Sequence, residues 1–160
     1  MASTNKEYQR DYTIGAKAEE LFENYLRIQY TCRTESMQCL GYFPGYDIST
    51  TAVTGTVMKY EVKYNSRYDK DRDFTNGTLV VEMAKSRDGC SVPSGISIST
   101  ADYYAFVLEG SDAFYIIKTD ELKALCNNPK LAKKKLLTDK NGFLIAIFDL
   151  PFILSKMTLI

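Results

Sequence analysis

The chain contains no histidine at all. That absence removes His-based general acid–base chemistry, the Ser-His and Cys-His nucleophile pairs, and the commonest zinc ligand. Any catalysis must therefore rest on carboxylates, lysine, tyrosine, serine or cysteine. The four cysteines, at positions 32, 39, 90 and 126, form no C-x-x-C pair, so a four-cysteine zinc site would need unusual spacings. Long apolar runs are missing too. The longest, Phe143 to Leu154, is interrupted by Asp149 and Pro151 and falls short of the ~18–20 residues of a membrane span. There is no excess charge of either sign: 20 basic residues balance 20 acidic ones. A nucleic-acid partner would then have to be met by locally concentrated positive charge. The polar start Met-Ala-Ser-Thr-Asn-Lys-Glu does not read as a secretory signal, and with unpaired thiols it predicts a cytoplasmic, intracellular protein with no membrane contact.

What is present fits one globular domain. The 160 residues, 45% hydrophobic and 25% charged, suffice for a core of ordinary composition. Residues 1–12 are polar and expected to be loose, with Asp11 or Thr13 capping a helix that runs to about Tyr30. On that helix Ile14, Ala18, Leu21, Phe22, Tyr25 and Leu26 share a broad apolar stripe. Glu19 falls at the stripe's edge, Glu20 points away, and Glu23 lies between. Of these, Glu19 is the carboxylate best placed to look inward; an ordinary surface glutamate is the competing reading.

The stretch Gly45–Tyr64 reads as two strands joined by a turn at Thr54-Gly55. The side-chain period of two puts Val57, Lys59, Glu61 and Lys63 on one face of the second strand, and Met58, Tyr60, Val62 and Tyr64 on the other. A hairpin returns Asp47 to the end that carries Glu61 and Lys63. Two carboxylates suit a hard divalent cation, Mg2+ or Mn2+, with the Val62 carbonyl as a further ligand. A neighbouring lysine can position or help deprotonate water, or offset charge on a phosphate. A surface salt-bridge cluster is the plainer alternative.

Asp47, thirteen residues, then Glu61-Val62-Lys63 resembles the PD-(D/E)XK nuclease superfamily, with Gly45-Tyr46-Asp47 at the first acid and no proline before it. Gly15-Ala-Lys-Ala-Glu19 is similar to the first helix of such enzymes, close to the pattern of archaeal Holliday-junction resolvases. The resemblance implies an α/β fold with a restriction-endonuclease-like core, a mixed sheet flanked by helices. It implies a metal-dependent nuclease in which Asp47 and Glu61 hold Mg2+ or Mn2+, Glu19 completes the acidic cluster and Lys63 handles water. DNA, ahead of RNA, would be cut to a 5′-phosphate and a 3′-hydroxyl. A first strand is expected between Thr31 and Tyr42. A non-catalytic module on the same fold, binding nucleic acid or protein, is the second expectation.

Beyond the motif, residues 65–77 read as an exposed loop in which Arg67, Lys70 and Arg72 could reach phosphates and Tyr68 or Phe74 could stack on a base. A solvated loop of self-neutralising charge fits as well. Thr78–Met83 reads as a strand interrupted by Glu82, an edge residue or a further acid. With Ser94-Gly95 it resembles small phage-type members of the superfamily, which would place Glu82 and Ser94 near substrate; a simple turn is the alternative for Ser94. Tyr103–Leu108 and Ala113–Lys118 read as a hairpin, and Thr119–Cys126 as a helix capped by Thr119. Lys133, Lys134 and Lys135 form the strongest basic cluster, for phosphate contact or for a solvated face. Phe143–Phe148 reads as a buried strand, and the apolar tail to Ile160 leaves packing or a homodimer open.

Overall fold

A computed structural model describes residues 5–29, 32–36, 45–65, 77–108, 113–136 and 142–160. Arg67, Lys70 and Arg72, with Tyr68 and Phe74, lie outside them. The helix α1 (Asn5–Gln29) opens the chain, starting ahead of the expected cap at Asp11 or Thr13. Two sheets follow among the described residues. The six-stranded sheet has the order β1-β2-β3-β6-β7-β10, built from β1 (Cys32–Ser36), β2 (Ile48–Ala52), β3 (Val57–Asn65), β6 (Tyr103–Leu108), β7 (Phe114–Lys118) and β10 (Thr158–Leu159). The four-stranded sheet, β5-β4-β9-β8, is built from β4 (Thr78–Arg87), β5 (Cys90–Pro93), β8 (Lys133–Leu136) and β9 (Leu144–Asp149). Two short helices, α2 (Thr119–Cys126) and α3 (Leu150–Ser155), complete the order.

The larger sheet is mixed: β3 and β6 run parallel, and its other pairs are antiparallel. Parallel neighbours need a long connection, usually a helix. Here the connection from β3 to β6 carries β4, β5 and a 3-10 turn at Gly95–Ser97 instead. The result is an α/β fold with helices flanking a mixed sheet, and with a second sheet against one face.

Alternation along β3 and β6 assigns the two faces. Val62, Ala105 and Val107 bury against Ala18, Phe22 and Leu26 of α1, with Ile48 and Phe114. The Phe22 ring meets Tyr60 and Phe114 edge-on, at 5.3 and 5.1 Å between centroids. Leu21, expected on the buried stripe, is half exposed, because the contact takes only the narrower face through Ala18, Phe22 and Leu26. Tyr104, Phe106 and Leu108 bury on the opposite side with Leu79, Val81, Ala146 and Phe148 of the second sheet, and with Leu122 of α2 and Ile153 of α3.

The remaining expectations resolve element by element. The turn between β2 and β3 closes at Gly55, whose φ of 86° suits glycine. A strand does occupy the region expected for the first one, at Cys32–Ser36. Thr119 is not a cap. It is the first residue of α2, behind Lys118, and its buried hydroxyl has no partner. The tail packs back on the chain, with Ile160 exchanging main-chain hydrogen bonds with Phe114.

Gly95 has a φ of +52°, and a Cβ there would stand 2.4 Å from the Glu82 carbonyl oxygen. Gly95→Ala should therefore cost about 2–3 kcal/mol, read by urea unfolding. Gly15, in α1 with open space around it, is the contrast: Gly15→Ala should add about 0.5–1 kcal/mol.

Candidate active site

Strand β2 stops pairing with β3 at Ile48↔Tyr60. Asp47 lies one residue beyond, and there its side chain takes over from the ladder. The Asp47 N–H donates to the Tyr60 carbonyl at 2.9 Å, and the Val62 N–H donates to Asp47 Oδ2 at 2.7 Å. The two main-chain groups of a strand residue point to the same side, so the Val62 carbonyl also faces the Asp47 side. Glu61 and Lys63 flank Val62 and project from the face shared with Tyr104, its partner in the parallel register. Glu61 is 8% exposed, and Lys63 Nζ meets its Oε1 at 2.5 Å. The hairpin thus brings Asp47, Glu61, Val62 and Lys63 to one end of the sheet.

The charges of this group are strained by burial. Desolvation pushes the Asp47 carboxyl up to about 6; Glu19 adds to the rise, and Lys63 and the Val62 N–H oppose it. Glu61 is raised too, mainly by burial and then by Asp47 and Glu82, against the pull of Lys63. Burial alone would lower Lys63, but Glu61 and Asp47 outweigh it and hold the ammonium charged. The lysine side chain is 48% exposed, so solvent screens part of that attraction.

Glu19 bears on Asp47 and Glu82 on Glu61. The four carboxylates therefore follow one another as Glu19, Asp47, Glu61 and Glu82, drawn from α1, the start of β2, β3 and β4. Among the described residues, no three acidic, cysteine or histidine side chains stand close enough to hold one metal ion together. The Asp47–Glu61 pair nevertheless fits a hard cation. It consists of oxygen donors, Glu61 is buried and Asp47 half-buried, and one lysine leaves it with excess negative charge.

Glu82 is held from behind. Ser94, 3% exposed, donates its hydroxyl to Glu82 Oε1 at 2.5 Å. The basic cluster lies on the edge strand β8, where Lys133 and Lys134 are exposed. Lys135 pairs with Ile145, and Ile145 with Glu82. The cluster is thus two strands from Glu82, about 10 Å.

Tyr104 lies in the arm Tyr103–Leu108 of the expected hairpin, where its sequence pattern favours core packing over stacking on a nucleotide. Its ring does pack, at 2% exposure. Its hydroxyl, however, lies buried near Ser99 without a well-formed hydrogen bond. Burial and the nearby Glu61 raise its pKa, so it remains a neutral donor. No spacing in the sequence pairs Tyr104 with Glu61; only the parallel register does.

No family model matches the chain. Three HtpG chaperone proteins, from Francisella tularensis strains U112, WY96-3418 and FSC 198, are each 29% identical to it over 111 aligned residues. The alignment takes in 57% of this chain but 18% of each chaperone, so the chain spans a small part of those relatives. Among solved structures, the bacterial homing endonuclease I-Ssp6803I is similar, with a TM-score of 0.51 and 19% identity, over 69% of this chain and 70% of that one. The likeness is one of fold alone.

The raised Asp47 pKa has a sign that can be measured. A carboxyl that holds its proton more tightly folded than unfolded stabilises the fold while protonated. That stability is present below pH 3.8 and is lost as pH rises through about 6. In EDTA the protein should lose on the order of 2 kcal/mol between pH 4 and pH 7.5 from this group. Mg2+ or Mn2+ should restore stability at pH 7.5 and have little effect at pH 4.5. Asp47→Asn should flatten both responses in thermal melts; a variant that melts with the wild-type pH and metal dependence would refute the assignment.

Proposed function

We propose that the chain is a Mg2+- or Mn2+-dependent endonuclease that hydrolyses DNA phosphodiester bonds, with RNA the less favoured substrate. The observation that carries this reading is the buried Glu61, bound by Lys63, beside the half-buried Asp47 at one end of a mixed sheet. The distant likeness in fold to a homing endonuclease supports it.

In this reading Asp47 and Glu61 hold the cation, with the Val62 carbonyl beside them and Glu19 completing the negative environment. When bound, the ion would neutralise phosphate charge and make water easier to deprotonate. The protein's own part is positioning. The Val62 N–H fixes one oxygen of Asp47. Lys63, which stays protonated at neutral pH, acts as a donor and a positive charge rather than as a base. It orients water towards phosphorus or steadies the phosphate oxygens as the P–O3′ bond breaks. Water oxygen ends on the 5′-phosphate, and the departing 3′-oxygen takes up a proton. Lys133, Lys134 and Lys135 on the edge strand would hold flanking phosphates, with Arg67, Lys70 and Arg72 in the same role.

One observation favours a second reading. Because no three potential ligands converge among the described residues, the same fold could serve as a non-catalytic module that binds nucleic acid or protein. Cleavage of labelled single-stranded, duplex, flap and four-way-junction DNA separates the two. With Mg2+ or Mn2+ the wild type should cut at least one substrate, EDTA should stop it, and Lys63→Ala should slow it about 10²–10³-fold. Equal cutting by the variant, or no cutting of any substrate, would put the binding module first.

A further inference from the structure

Beside Lys63 a half-open cleft of about 290 Å³ runs between the two sheets. Its volume sits near the lower end of small-ligand pockets, about 300–1,000 Å³, enough for one nucleotide and too small for a duplex. Lys63 and Glu82 supply its charges, Phe143 a half-buried aromatic ring, and Tyr104 and Phe106 an apolar floor. We propose that this cleft is a subsite for a single unpaired nucleotide, its phosphate at Lys63 and its base against Glu82. The assignment of the phosphate to Lys63 rests on the nuclease reading; the pocket for the base stands on its own geometry.

The case for Glu82 is its preorganisation. Three features fix it: the Ser94 hydroxyl on Oε1, the position of Ser94 in the protein interior, and the Gly95 backbone packed too close to Glu82 for any side chain. A carboxylate steadied at one oxygen keeps the other for a ligand, and a carboxylate accepts from exocyclic amino groups, as on the cytosine N4. Bases with an amino group should therefore bind more tightly than thymine, whose only donor is N3–H. Phe143 offers a ring for stacking, which tolerates any base. Such a pocket also narrows the substrate class. A base can enter only from single-stranded, flapped or junction DNA, or after leaving the duplex stack.

The test needs no cleavage. Binding of the 5′-monophosphates of deoxycytidine, deoxyguanosine, deoxyadenosine and thymidine is followed by NMR shifts and calorimetry on the full chain. The amino-bearing nucleotides should bind at least about fivefold more tightly than thymidine monophosphate. Glu82→Gln should erase that preference without lowering the melting temperature, and Lys63→Ala should weaken all four alike. Thymidine monophosphate binding as well as the others, a preference that survives Glu82→Gln, or no nucleotide binding would overturn the subsite. Loss of Mg2+-dependent stabilisation in Glu82→Gln would also overturn it, by making Glu82 a cation ligand. A protein that shows the preference yet cuts no DNA keeps the subsite and loses the nuclease reading. One that cuts DNA but binds no mononucleotide does the reverse.

Discussion

The parallel pairing of β3 with β6 is the constraint on which the rest of the molecule hangs. It sets Glu61 opposite Tyr104, Val62 opposite Ala105 and Lys63 opposite Phe106. Because side chains alternate across a strand, one residue of slip would turn Glu61 and Lys63 into the apolar contact with α1 and Val62 to the opposite face. The apolar residues on both faces oppose such a slip. Val62, Ala105 and Val107 are claimed by α1, and Tyr104, Phe106 and Leu108 by the second sheet. The charged pair is therefore held in place by its hydrophobic neighbours rather than by its own attraction.

Holding it there costs free energy. Two carboxylates, both raised by desolvation and then Asp47 by Glu19 and Glu61 by Asp47, face one lysine that is half in solvent. A buried ion pair gives weak net stabilisation at best, and a second uncompensated acid makes the balance worse. Sites that disfavour their own charges are often functional ones. The Asp47–Val62 hydrogen bond sharpens the point. It satisfies a strand N–H with a side chain where β2 has run out, so Asp47 is at once part of the sheet and part of the site. A substitution there disturbs both, which is why Asp47→Asn, keeping the shape, is more informative than Asp47→Ala.

Much of this was legible in the residues. The β2–β3 hairpin with its glycine turn, the face carrying Glu61 and Lys63, and the helix stripe through Ala18, Phe22 and Leu26 follow from periodicity and turn chemistry, and all have the expected placement. The start of α1 was not legible, because a polar first turn at Asn5 carries no apolar period. Nor was the second sheet against the face of the first. Its strands are ordinary local patterns, and their pairing order is a tertiary fact. Tyr104 shows the limit most clearly. It reads locally as a strand residue, and it meets Glu61 only because elements distant in sequence converge.

Charge distribution ties the proposed function to the neutral net charge. The acids Glu19, Asp47, Glu61 and Glu82 follow one another at one end of the sheet, whereas the lysines of β8 stand two strands from Glu82. A phosphate backbone meeting the acidic end without a cation would be repelled over the first few ångströms, where screening is weak. A divalent ion held by Asp47 and Glu61 would offset most of that charge, and the repulsion opposing the basic edge would fall. On this reading zero net charge is a working condition. In the proposed function the lysine edge would hold flanking phosphates, and the cation would lessen the repulsion at the acidic end.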